Sequence, residues 1–170
     1  LQTFYFILYV VLVDFLLASL ISASIMWLLS NRFMRDPQSE NVEWGYSFDV
    51  HINAQFPPLI ILHFVMLIFY KILFSQEWFL ATFLGNTLWL LSFCYYVYIT
   101  FLGYNCKSHP IKFDINLKSL FHAGIPYLKK SRTRLILAVM PIFFLFFIVT
   151  VIIGWNLNVT LMNFYHYRVL

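Results

Sequence analysis

The chain has 170 residues, 62% hydrophobic, 21% aromatic and only 11% charged, with a mean hydropathy of +0.79 and a formal net charge of +4. Soluble domains carry about 25% charged residues, so a soluble globular domain is excluded and an integral membrane protein of one domain remains. Its two cysteines, Cys94 and Cys106, set no disulfide framework and no CxxC metal pair.

Crossing the hydrocarbon takes about 20 mostly apolar residues. Four runs qualify, at residues 4–29, 57–74, 78–102 and 135–155, which predicts an all-α polytopic protein folded as a single transmembrane domain. The opening LQTFYF has no basic n-region, cleavage site or initiator Met. That start, and a first residue on the lumenal side by the topology below, predict a fifth span upstream.

In the first run, Asp14 sits mid-span in VLVDFLL. A central Asp costs about 2.5–3.5 kcal/mol on insertion scales, so it should face the bundle and have a partner. Ala18, Ser19, Ser22 and Ala23 form overlapping small-xxx-small pairs, a close-packing face.

The linker 31–56 contains VEWGYSFDVHINAQFPP, in which apolar and polar residues alternate from 42 to 53. Alternation signals a strand, but lipid forbids an open strand edge. The stretch therefore reads as a short interfacial helix under the ends of the spans, turning at Pro57-Pro58 into the second run. Trp44 and Tyr46 would anchor it. Glu43, Asp49, His51 and Asn53 would satisfy one another or neighbouring helix ends. As a docking face for a cytosolic partner, its contacts would be Trp44, Asp49 and His51. Asp49-Val50-His51 is half a metal site with nothing in the sequence to complete it.

His63, in the second run, lies level with Tyr95, Tyr96 or Tyr98 of the third. The connection SQEW is tight enough to make these two runs an antiparallel hairpin. Asn86, in LGNTLWL, is near Asp14 in depth, so these two are the expected partners. Such intramembrane polar groups hold a bundle together at about 0.6 kcal/mol per hydrogen bond. Their alternative use is lipid or ion handling by Asp14, His63 and Asn86.

The loop 103–134 carries seven of the chain's eleven Lys and Arg and one acid, Asp114. The positive-inside rule puts it in the cytoplasm. The linker 31–56 then shares that side, while SQEW and the tail 156–170 are lumenal. The tail's Asn158-Val159-Thr160 is a glycosylation sequon, usable on the lumenal side. Beyond setting topology, Lys129, Lys130 and Arg132 are candidates for holding anionic lipid or an acidic partner, at about 1 kcal/mol per near-surface charge. No GxSxG turn, HExxH pair or Gly-rich loop is present, so no catalytic, metal or cofactor residue is assigned and no enzyme is expected.

VEWGYSFDVHINAQFP, with VVLVDFLL, GNTLWL, YYVYITFLGY, GWN and FYHYRV in the same order, resembles the signature of the uncoordinated-fifty family of Golgi membrane proteins, and its fungal branch most. The resemblance covers most of the chain. It implies a Yip-like architecture with a cytosolic N-terminal region and one span more than the four visible here. It implies a multi-pass Golgi membrane protein acting without catalysis in early secretory, vesicle-mediated protein transport. The implied partners are a large Arf guanine-nucleotide exchange factor and cargo membrane receptors, with no nucleic acid. The stretch 105–126 departs from the animal pattern, so any contact it makes is not carried over.

Overall fold

The computed structural model describes residues 2–34, 41–76, 78–105 and 130–168. Lys129 and residues 106–126 lie outside the described residues. Within them the structure is helices joined by short connections, without strands, and four helices are long and apolar enough to cross a membrane. The first three are α1 (Gln2–Met34), α2 (Trp44–Phe74) and α3 (Phe79–Asn105). The fourth crossing, Arg134–Ile153, combines the second half of α4 (Lys130–Leu137) with α5 (Met140–Ile153). A further helix, α6 (Leu157–Arg168), follows.

Packing follows chain order: α1 lies on α2, α2 on α3, and α3 on α4 and α5. Apolar burial cannot drive helices together in lipid, so small residues and hydrogen bonds carry the contacts. Ser19, Ala23 and Ser30 form the buried edge of α1, and the Ser47 hydroxyl of α2 donates to the Ala23 carbonyl at 2.8 Å. Gly103 of α3 leaves room for Val50, whose Cγ1 stands 2.6 Å from where a β-carbon would be.

The alternating stretch belongs to α2, which runs unbroken through Pro57 and Pro58 into the second span. The expected helix forms, but it does not turn at the prolines. Its buried residues, Ser47, Val50, His51, Ala54 and Pro58, recur at helical rather than strand spacing. Proline within a spanning helix is tolerated because neighbouring packing and local rewinding accommodate the lost backbone bonds. The turns after the prolines, Ile60–Val65, are wound as π-helix.

Residues 156–168 are not a free tail. Gly154, with φ of 75°, ends α5: the Trp155 and Gly154 N–H groups return to the Thr150 and Val151 carbonyls at 2.9 and 3.2 Å. Asn156 then caps α6, its side-chain oxygen accepting from the Asn158 and Val159 N–H groups. From this turn α6 crosses from α3, at Trp89, to α1, where Tyr165 meets Phe6 and Tyr9 edge to face.

Candidate functional site

Asp14 and His63 meet inside the bundle. His63 Nε2 lies 3.2 Å from Asp14 Oδ2 and 2.7 Å from the Tyr165 hydroxyl, which donates to the same carboxyl oxygen at 2.5 Å. A phenol has one proton and Asp14 takes it, so His63 Nε2 carries a proton shared between the Tyr165 oxygen and Asp14 Oδ2, which assigns the Nε2–H tautomer. Gln55 adds a long bond to the Asp14 backbone carbonyl. Asp14 and His63 both lie on π-wound turns, Val10–Leu17 and Ile60–Val65, a winding common at functional sites. The expected pairing of Asp14 with Asn86 does not occur, and His63 does not reach Tyr95, Tyr96 or Tyr98. The partner of both is Tyr165, which sequence reasoning had placed in a lumenal tail.

Asn86 latches a different joint. Its amide donates to Thr150 Oγ1 and the Trp155 carbonyl, and its oxygen accepts from the Leu157 N–H. It therefore fixes the α5–α6 turn to α3. Asn156 ties the same turn to the end of α2 through the Phe74 carbonyl. Asn158 is fully buried, accepts from Trp89 Nε1, and presses its amide onto Gly85. A glycosylation acceptor must be exposed, so the fold removes Asn158 from that role.

At the end of the bundle near the basic loop, α2 is clamped from several sides. Asn31 pairs with Val42 through both backbone groups, and Trp27 Nε1 donates to the same carbonyl. Ser47 shares a 2.6 Å hydrogen bond with Tyr104, and Tyr46 donates to the Gly103 carbonyl. His51 is fully buried with Nδ1 2.7 Å from the Tyr96 hydroxyl, which corrects its assignment as a docking contact. The opposite face is open. Trp44 stacks on Phe48 with centroids 5.4 Å apart and donates to Ser24. Asp49 is exposed and accepts from Asn53. Lys130 and Arg132 belong to the first turn of α4. Among the described residues no three His, Cys, Asp or Glu side chains form a group able to hold a metal ion.

Sequence comparison extends these observations. The model of a family described as the UNC-50 family matches residues 1–166. The chain is 50% identical over 169 residues to "Protein unc-50 homolog" of Drosophila melanogaster, covering 99% of itself and 54% of the relative. It is 42% identical over 165 residues to "Protein unc-50" of Caenorhabditis elegans, covering 97% of itself and 48% of the relative. With "Protein unc-50 homolog" of Homo sapiens it shares 38% over 170 residues, covering 99% of itself and 58% of the relative. It thus spans about half the length of these curated relatives. No solved structure matches.

Proposed function

The chain belongs to the UNC-50 family, and from that premise we propose that it is a multi-pass adaptor of the Golgi membrane. In this role it associates with a large Arf guanine-nucleotide exchange factor and supports the transport of cargo receptors early in secretion. The basic loop faces the cytoplasm, beside anionic lipid, and so does the start of α2.

The observation that carries this function is the division of α2 into two faces. The inner face is held by Val42, Ser47 and His51. The outer face presents a stacked Trp44–Phe48 pair beside the exposed acids Glu43 and Asp49. A rigid aromatic pair with a charged rim is the composition of a binding hot spot.

Co-purification from Golgi membranes tests it. Trp44→Ala should weaken binding of the exchange factor about thirtyfold, the equivalent of a hot-spot loss near 2 kcal/mol, and Asp49→Lys should weaken it less. Both proteins should stay folded and in the Golgi. Recovery at the wild-type level in the Trp44 variant would remove α2 as the docking face. His51→Ala serves as the contrast, because it damages the core and should lower thermal stability.

Lipid or ion handling is a second function, favoured by one observation: Asp14 and His63 do meet, beside an open cleft. Asn86 takes no part in that cluster.

A further inference from the structure

Asp14 accepts both of its side-chain hydrogen bonds on Oδ2. Among the described residues its other oxygen has no partner, and the side chain is 25% exposed. It faces a cleft of about 570 Å³ that reaches from Tyr165 and His63 to Gln55 and Tyr96. The far wall is aromatic, formed by Trp89, Phe93 and Phe143. The first and fourth spans make almost no contact with each other. Leu17 and Ile21 line the cleft while being 47% and 49% exposed, so it opens sideways past α1.

Depth decides what fills it. At 1.5 Å per residue, Asp14 lies about 18 Å along a helix about 50 Å long, well inside a hydrocarbon layer about 30 Å thick. The medium outside the mouth is lipid. The volume falls within the range of about 300–1,000 Å³ typical of small-molecule sites, which pair apolar walls with a few placed polar groups. Among the described residues no Lys or Arg lines the cleft, so a phosphate headgroup meets a carboxyl and no permanent cation. An ammonium would have to leave water for a carboxyl already quenched by two donors on Oδ2. A neutral hydroxyl sheds little hydration and donates directly to the open Oδ1.

We propose that this cleft binds a neutral hydroxyl-bearing lipid, its hydroxyl on Asp14 and its hydrocarbon against Trp89 and Phe93. The site is independent of the adaptor role. It gives the second function a ligand class and a place.

Photoactivatable, clickable lipids added to native membranes holding the full-length protein test it. Sterol and diacylglycerol probes share the hydroxyl, and whichever labels identifies the source. A long-chain alkylamine supplies an amine without a hydroxyl, and phosphatidylcholine a headgroup without a hydroxyl donor. A hydroxyl probe should label residues 13–22 or 89–96 and be competed by its unlabelled parent. Ile21→Trp, which narrows the mouth without touching the polar cluster, should abolish that labelling. Asp14→Leu should weaken it about tenfold or more, as for a lost hydrogen bond to a carboxylate. Equal labelling by all four probes, preference for the alkylamine or phosphatidylcholine, crosslinks outside the cleft, or labelling unchanged in Ile21→Trp would each overturn the proposal.

Discussion

Tyr165 decides the fate of Asp14. A carboxyl placed mid-span carries an insertion penalty of about 2.5–3.5 kcal/mol, and the phenol and imidazole donors offset part of it. Tyr165→Phe keeps the ring contacts with Phe6 and Tyr9 and removes one donor. It should lower stability in detergent by about 1.5–3 kcal/mol, the range for hydrogen bonds to charged groups, read by thermal or denaturant unfolding. Asp14→Asn keeps an acceptor for the phenol and should be milder. If Tyr165→Phe is as stable as wild type, the phenol does not stabilise Asp14. The sequence showed that Asp14 needs a partner, because charge and depth are properties of one residue. It did not show which, because depth along a helix says nothing about the azimuth at which two helices face. Counting depth matched Asn86 to Asp14 and set His63 level with Tyr95, Tyr96 or Tyr98, whereas the fold gives His63 to Asp14 and Asn86 to the α5–α6 turn.

At the scale of elements, glycine and asparagine build the joints. Gly154 takes a left-handed conformation that L-residues enter at a cost of about 1–2 kcal/mol. Gly154→Ala should therefore destabilise by about that amount while leaving local packing intact, since nothing stands within 4 Å of its would-be β-carbon. Gly85→Ala is the converse case. Its backbone is unstrained, but a methyl would collide with the Asn158 amide, and overpacking costs about 1–3 kcal/mol. Asn158→Ala should relieve the clash, so the double variant should be less destabilised than the sum of the singles. Additive losses in unfolding midpoints would show that the clash relaxes elsewhere. The GWN turn was legible as a motif but not as a helix junction. The alternation of residues 42–53 was misleading in a physical way. A period of two, wound at 3.6, places Ser47, Val50, His51 and Ala54 together, and those small or hydrogen-bonding residues are what a helix interface in lipid selects.

Among the described residues four crossings pack in chain order, and α6 runs from α3 to α1. The crossings were legible from hydrophobic length alone, which counts residues and needs no partner information. The return of α6 was not, because its mixed composition resembles an exposed tail and its apolar stretch is too short to span. Orientation makes a direct prediction. In a cysteine-free background, a single cysteine at Arg32 should react with a membrane-impermeant thiol reagent added to sealed Golgi vesicles from the cytosolic side. One at Ser75, exposed at the other end of α2, should react only after permeabilisation. The reverse pattern would invert the topology and move the α2 docking face into the lumen.

The bond between Tyr165 and Asp14 joins residues 151 positions apart, and this has a consequence for biosynthesis. Spans leave the ribosome in order, so Asp14 enters the bilayer long before its phenol donor has been translated. Throughout that interval Asp14 lacks its phenol donor, and an incompletely paired intramembrane carboxyl is the kind of mark by which membrane chaperones hold unfinished chains. Arrival of α6 supplies the missing donor. A protein stopped after Gly154 should still insert all four spans, yet remain in the endoplasmic reticulum bound to chaperones. Supplying Asp14→Leu in the same truncated chain should restore part of its export, because the retained group is then gone.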